Sequence, residues 1–420
     1  MDRSGKAVKR QSGGRANVLR QHGAMEHSTP PCDLDEVRGY RLGRVREALA
    51  ARDLAGIILY DPVNIRYATD SSNMQVWCAH NEARYLYVPA EGPVTLFEFG
   101  GGSDLLTSGL PTIDEVRAAT FVLYFIAGGR QADNARAWAA ELDSVIRERG
   151  GGNRRIAIDR VGPVGIVEMQ RLGYEIHDGF EVMENARTIK SAGEITLMRH
   201  AIAVCEGAIQ GMREALTPGI TENALWAELH RGNVAGGGEW IECRLLASGP
   251  RTNPWFREAS MRVIERGDIV AFDTDLVGPY GYCCDISRTW VCDARPSDEQ
   301  RRIYADAHAQ IQENKALLKP GVTFRELTEG SRPFSDEFVD GRYSVSMHGV
   351  GLCDEYPAIP YPQDYEPGDE GVLEEGMVIC VEGLAAPAGG SEAVKLEEQV
   401  LITADGHEQL SSYPLEEDWL

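Results

Sequence analysis

Three acidic residues sit close together in an apolar stretch of this chain. Ile269-Val-Ala-Phe-Asp-Thr-Asp-Leu276 carries Asp273 and Asp275 two positions apart, and Asp285 follows after the turn residues Gly278-Pro279. Side chains two apart on a strand share a face, so Asp273 and Asp275 are expected to point the same way. A hairpin would bring Asp285, in Tyr282-Cys-Cys-Asp-Ile-Ser-Arg-Thr289, beside them. Carboxylates gathered in a low-dielectric interior repel one another unless a cation neutralises them. A solvated acidic turn is the alternative, and Phe272, Ile286 and Trp290 argue against it by placing these strands in a core. Three further residues carry metal-ligand chemistry: His348 in Met347-His-Gly-Val-Gly-Leu352, Glu382 at the end of Val378-Ile-Cys-Val-Glu382, and Glu397 inside Val394-Lys-Leu-Glu-Glu-Gln-Val400. A histidine among carboxylates suits Fe, Mn, Co or Zn.

The elements that must position these residues fall into two units within an α/β (α+β) chain. Residues 1–32 read as a disordered tail with six basic and two acidic residues and no apolar core of a signal peptide. Residues 33–185 read as a smaller α/β domain. It comprises a helix over 34–52, buried strands at 55–60, 85–88, 94–97, 120–124 and 155–158, and a helix over 132–149 ended by Gly150-Gly-Gly152. Residues 186–420 hold the acidic cluster. Ser191-Ala-Gly-Glu194 and Ser297-Asp-Glu-Gln300 are capping boxes, each opening a helix that stops at a Pro-Gly pair, Pro218-Gly219 and Pro320-Gly321. Two such helical units around a β-rich centre suggest internal pseudo-symmetry. Strands are expected at 243–247, 269–276, 282–291, 377–382 and 393–402.

Composition narrows the function classes. With 43% hydrophobic and 25% charged residues the chain can bury a core, which sets disorder aside for most of it. A formal net charge of -23 disfavours nucleic acid and anionic membranes as partners. No stretch approaches the length of apolar sequence that spans a bilayer. Nine scattered cysteines without a CxxC pair point to reduced thiols, and so to a cytoplasmic protein.

The order Asp273-Thr-Asp275, Asp285-Ile-Ser-Arg-Thr289, His348-Gly-Val-Gly351, Glu382 and Glu397 resembles the pita-bread metallopeptidase family, which includes methionine aminopeptidases, prolidases and creatinase. The resemblance implies a C-terminal pita-bread catalytic domain and a creatinase-like N-terminal domain. It also implies two divalent ions held by Asp273, Asp275, Asp285, His348, Glu382 and Glu397. Iron is the first expectation among them, with Mn, Co, Zn or Ni as alternatives, and relatives are commonly homodimers.

Three departures from the peptidase pattern bear on the reaction. Ala247-Ser-Gly-Pro-Arg-Thr-Asn-Pro-Trp-Phe256 lacks the histidine with which peptidase relatives hold their substrate. Asp354-Glu-Tyr-Pro357 places an acid where prolidases have a second histidine, and Asp275 replaces a glycine. Losing two imidazole donors removes groups that would stabilise the tetrahedral intermediate of amide hydrolysis. These departures resemble one branch of the family, the dimethylsulfoniopropionate lyases of the DddP type. Long runs carry the likeness: 60–70, 73–77, 237–242, 245–256 and 347–357.

That resemblance implies β-elimination from a small zwitterion carrying a sulfonium and a carboxylate, giving dimethyl sulfide and acrylate. Asp354 would be the base and Tyr343 a catalytic or substrate-binding residue. Trp77, Trp240 and Trp255 are further candidates for an aromatic wall, since a desolvated cation–π contact is worth on the order of 2 kcal/mol. Trp77 lies in the N-terminal domain, so it would reach the metals only across a domain or subunit boundary. The competing expectations are an Xaa-Pro dipeptidase, a lyase for a related sulfonium or betaine acid, and a binding protein that keeps the fold without catalysis.

Overall fold

The opening helix Leu34–Ala51 begins where Asp33 accepts hydrogen bonds from the N–H groups of Asp35 and Glu36, which satisfies donors that helix geometry leaves free. The computed structural model describes residues 30–100, 107, 109–368 and 370–420. The tail expected over 1–32 therefore lies outside the described residues except at its final three positions. After the helix the chain builds a six-stranded sheet in the order β4-β3-β2-β1-β5-β6. Its strands are β1 (Gly56–Leu59), β2 (Tyr85–Pro89), β3 (Thr95–Glu98), β4 (Glu115–Ala118), β5 (Arg155–Ile158) and β6 (Glu175–Asp178). The central strand β1 runs antiparallel to β2 and parallel to β5, and all four of its residues are buried, which is why it reads as an unbroken apolar run. Helix Gln131–Gly150 covers one face through Trp138, Leu142 and Val145.

The strand expected over 120–124 is not formed. The strand in this region is Glu115–Ala118, and Tyr124–Ala127 turns into a short helix. The polar edge residues Glu115 and Arg117 hid β4, which among the described residues pairs only with β3. The aromatic run at 121–125 is partly solvent-facing, with Tyr124 and Phe125 exposed.

Both capping boxes form. Ser191 and Glu194 open the helix Ala192–Ala215, and Ser297 and Gln300 open Asp298–Lys315. Each long helix is followed by a shorter one, Glu222–Ala235 and Phe324–Gly330, so the two helical units stand as expected. Between and after them lie small sheets. Strands β7 (Trp240–Ile241), β10 (Leu276–Val277) and β11 (Cys283–Cys284) form one, and β8 (Leu246–Ser248), β9 (Ile269–Phe272) and β12 (Arg288–Val291) form another. Strands β13 (Val345–Val350), β14 (Asp354–Pro360), β15 (Val378–Ala385), β16 (Val394–Thr403) and β17 (Gly406–Gln409) form a five-stranded sheet ordered β14-β13-β15-β16-β17.

Helix Gly179–Arg187 ties the first sheet to the second half. Glu355 of β14, fully enclosed, pairs with Arg187 at 3.1 Å and Lys190 at 2.9 Å. Glu184 accepts the Tyr356 N–H at 2.8 Å. Breaking a buried ion pair leaves an uncompensated charge, which costs roughly 3–5 kcal/mol. Glu355→Ala is therefore expected to lower the free energy of unfolding by about that amount, read from the urea midpoint. A loss below roughly 1 kcal/mol, the value typical of an exposed pair, would show that these charges are solvated.

Candidate metal centre

The expected strand 269–276 is in fact two strands, and the break builds the site. β9 pairs with β12 from Ile269↔Val291 to Phe272↔Arg288, whereas β10 pairs with β11 and β7. Asp273, Thr274 and Asp275 lie at the junction, with Asp275 at φ 35. A left-handed residue of this kind turns the chain, and aspartate tolerates it better than most. Asp273 and Asp275 thus converge through a kink and not through the strand alternation expected for them. Asp285 occupies the matching junction between β11 and β12. Thr274 fastens the two: its Oγ1 donates to the Cys284 carbonyl at 3.0 Å and accepts the Ile286 N–H at 2.9 Å. Carboxylate oxygens of Asp273, Asp275 and Asp285 all lie within 4.8 Å of one another.

The five-stranded sheet supplies the other donors by register. His348 on β13 stands opposite Cys380 on β15, and Glu382 stands opposite Glu397 on β16. His348 Nε2 lies 3.1 Å from Glu382 Oε1, 3.4 Å from Glu397 Oε1 and 3.7 Å from Asp285 Oδ2. Its Nδ1 is 3.0 Å from the Gly349 carbonyl. Donation of the Nδ1 proton to that carbonyl would leave the Nε2 lone pair facing the carboxylates, the tautomer a metal ligand requires. Asp285 belongs to both donor groups, one with Asp273 and Asp275 and the other with His348, Cys380 and Glu397.

Charge makes the case for cations. Burial pushes the carboxyls of Asp273 and Asp285 up, and Asp275 up to about 8, with the neighbouring carboxylates adding to the shift for each. For His348 burial opposes charging, but Glu382 and Glu397 outweigh it and raise the imidazole well above its usual range. Glu397 goes the other way: although buried, it is held below the usual carboxylate range by Lys395 and His348. A pocket that stabilises extra protons this strongly would bind divalent ions in their place. Glu397 Oε1 is buried without a hydrogen bond, as a ligand oxygen would be. All six expected ligands therefore gather at one place, and their chemistry fits divalent metal.

Three participants were not foreseen. Lys395 lies two residues before Glu397 on the same strand face and reaches Glu382 Oε2 at 2.7 Å, Glu397 Oε2 at 3.0 Å and Asp273 Oδ2 at 3.2 Å. Cys380 lies two before Glu382. Strand alternation applied to these two glutamates would have found both residues. Ser287 could not have been found this way. Its Oγ lies 2.7 Å from Asp273 Oδ1 and 2.9 Å from Glu397 Oε2, a contact across strands.

Around the cluster the aromatic candidates separate. Tyr343, Asp354, His348, Glu382 and Glu184 line a cavity of 420 Å³. A larger cavity of 730 Å³ adjoins it at Asp354 and Glu184 and is walled by Trp240, Glu242, Arg187 and His230. Trp255 is not part of either wall. It is 7% exposed, in an apolar cluster with Ala271, Leu384 and Ala393, and Tyr343 packs against that cluster. Its indole serves the apolar core against which Tyr343 packs. Trp77, on the short helix Gln75–His80, packs on Phe99 at a centroid distance of 5.5 Å and lines neither cavity.

Asp354 opens β14, with Oδ1 3.8 Å from His348 Nδ1 and a side chain 56% exposed to the cavity. Partial burial pushes its carboxyl up to about 6; His348 opposes the rise, and Glu397, Glu382 and Asp273 add to it.

Known proteins place this arrangement. The pattern of Metallopeptidase family M24 matches residues 196–404, and that of the Creatinase/Prolidase N-terminal domain matches 41–199. Dimethylsulfoniopropionate lyase DddP of Roseovarius nubinhibens is 45% identical over 391 residues, covering 91% of this chain and 87% of that protein. The enzyme of the same name from Roseobacter denitrificans is 44% identical over 393 residues. This chain belongs to the DddP family, within the M24 metallopeptidases. In fold, the chain is similar to an Xaa-Pro dipeptidase from Bacillus anthracis, with a TM-score of 0.72 at 21% identity over 90% of this chain and 99% of that one. The fold is accordingly mixed α/β, with a creatinase-type N-terminal domain and a pita-bread C-terminal domain. M24 membership and the donor cluster together point to divalent metal. Among the described residues no helix is long and apolar enough to cross a membrane.

Proposed function

We propose that this chain is a metal-dependent carbon–sulfur lyase that cleaves dimethylsulfoniopropionate to dimethyl sulfide and acrylate. The observation that carries the reading is the carboxylate of Asp354 beside a complete metal-ligand cluster, in a chain 45% identical to a DddP lyase across both domains. Asp273, Asp275, Asp285, His348, Glu382 and Glu397 would hold two divalent ions, iron foremost. When bound, the ions supply Lewis acidity that stabilises negative charge developing on the substrate carboxylate.

The chain's own residues supply the rest. Asp354 takes the proton from the carbon next to the substrate carboxylate, and that electron pair forms the double bond of acrylate. The bond from the β-carbon to sulfur breaks and the sulfur keeps its pair, so dimethyl sulfide departs neutral and needs no acid. Tyr343, on the wall of the smaller cavity, orients the substrate opposite Asp354. Trp240 and the acids of the larger cavity, Asp61, Glu239 and Glu242, suit the approach of a sulfonium cation.

In this reading the chain acts as a homodimer, in which Trp77, which lines neither cavity of its own chain, would serve the neighbouring subunit. Exposed Met74, Val76, Tyr124 and Phe125 on the N-terminal domain are suited to such a contact. Nine free thiols accord with a cytoplasmic setting.

Purified protein supplied with dimethylsulfoniopropionate is expected to release dimethyl sulfide into the headspace, and a divalent-metal chelator is expected to stop it. Faster hydrolysis of Xaa-Pro dipeptides than elimination would reverse the assignment to a peptidase.

A further inference from the structure

A lysine in the middle of a metal-ligand cluster needs a physical account. The Lys395 side chain is 0% exposed. Its ammonium touches Glu382 Oε2, Glu397 Oε2, Asp273 Oδ2 and, at 2.9 Å, Ser287 Oγ, and its Nζ stands 5.6 Å from the centre of the Tyr343 ring. The backbone is held as firmly. Thr289 Oγ1 donates to the Lys395 carbonyl at 2.8 Å and accepts the Lys395 N–H at 3.1 Å. Desolvating an ammonium is expensive and is tolerated only where opposite charges surround it.

Two features show what the ammonium does. It grips one oxygen each of Glu382 and Glu397, both Oε2, so both Oε1 atoms turn to the opposite side, where His348 Nε2 lies 3.1 and 3.4 Å away. The charges then balance. Asp273, Asp275, Asp285, Glu382 and Glu397 bring five negative charges, while two divalent ions and one ammonium bring five positive ones. Without the lysine, the same two-ion centre would carry a net negative charge in a buried setting.

We infer that Lys395 is a positioning residue of the metal centre: its ammonium pins one oxygen each of Glu382, Glu397 and Asp273, presents the remaining oxygens of the two glutamates to the ions, and neutralises the two-ion cluster. The inference rests on the two-ion reading proposed above. A neutral cluster keeps the ions strongly Lewis acidic, whereas an excess carboxylate charge would bind them more tightly and blunt them.

The test compares Lys395→Met with the unsubstituted protein in three measurements: metal content by elemental analysis, metal affinity by competition with a chelator, and the melting temperature of the metal-stripped protein. Lys395→Met is expected to retain two ions per chain and to hold them at least roughly tenfold more tightly, since a unit charge a few ångströms away has been removed. Its stripped form should melt lower than stripped unsubstituted protein. Its kcat should fall more than its KM rises.

Unchanged chelator competition together with an unchanged melting temperature would overturn the inference, reducing Lys395 to a space filler. A rise from one ion to two on substitution would also overturn it, because the ammonium would then be occupying an ion's position. A single ion in the unsubstituted protein would overturn the two-ion reading as well, whereas two ions there and no effect of Lys395→Met would defeat this inference alone. If Lys395→Met can be recovered only from metal-supplemented culture, the inference is supported, because the ions replace the missing charge. If it does not fold at all, Lys395→Arg decides: chelator competition within about threefold of the unsubstituted protein supports a charge role, and loss of metal overturns it.

Discussion

Asp354→Ala is expected to lower kcat for dimethyl sulfide release by on the order of a thousandfold, the usual worth of a positioned general base, while leaving the metal content unchanged. The reason is geometric: Asp354 is at the cavity wall, 3.8 Å from His348 Nδ1, and belongs to neither donor group of the metal cluster. Elemental analysis and headspace assay on the same preparation check both halves. Metal retained with activity within about tenfold of the unsubstituted protein would move the base elsewhere. A pH profile adds a second reading. The base works ionised, so kcat/KM must fall as pH drops through the Asp354 pKa. The carboxyl sits at about 6 when the neighbouring carboxylates are uncompensated. Bound cations offset those carboxylates and draw it back toward its ordinary value, so the acid limb is expected between about pH 4 and about pH 6. Asp354→Glu should keep such a limb and Asp354→Asn should lose it.

Asp285→Ala should have the broadest effect of any ligand substitution. Asp285 is shared by the two donor groups, and its carboxylate is within reach of His348 Nε2 on one side and of the Asp275 N–H at 3.4 Å on the other. Removing it is expected to take stoichiometric metal below one ion per chain. Activity should fall by on the order of a thousandfold or more, because the lost Lewis acidity is worth several kcal/mol. His348→Ala should spare the Asp273 and Asp275 side of the cluster and so retain more metal than Asp285→Ala. Equal loss in the two variants would show that Asp285 does not bridge. Stripped unsubstituted protein and Asp285→Ala should have similar melting temperatures, since the substitution removes one of several repelling buried carboxylates.

Much of this site is legible in residue types and order. The candidate-ligand order Asp, Asp, Asp, His, Glu, Glu requires no coordinates, and the motifs around it lead to the family. The two capping boxes show where the helices flanking the centre begin, because Ser191 with Glu194, and Ser297 with Gln300, satisfy helix N–H groups by purely local bonds. Strand β1 is equally plain, since continuous burial leaves an unbroken apolar run, and β5 follows the same pattern after Arg155. The edge strand Glu115–Ala118 was hidden because none of its four residues is buried and two of them, Glu115 and Arg117, are charged.

What the tertiary structure alone decided is how these residues meet. Alternation predicts neighbours within one strand, so it puts Asp273 beside Asp275 and could have put Lys395 beside Glu397. It says nothing of the kink at Asp275, which depends on two separate ladders competing for the chain on either side. Nor does it give the register that sets Glu382 opposite Glu397 and His348 opposite Cys380, because register comes from packing between distant segments. Trp255 looked available for a substrate and is core; Trp77 looked close in family pattern and lies against Phe99. An aromatic side chain carries the same chemistry in a core as in a pocket, so only the surrounding fold separates the two. By itself the sequence determined which groups are candidates to bind metal and which acid stands where prolidases have an imidazole. The folded chain decided that a buried ammonium joins them, because only packing brings Lys395 within reach of three acids from three segments.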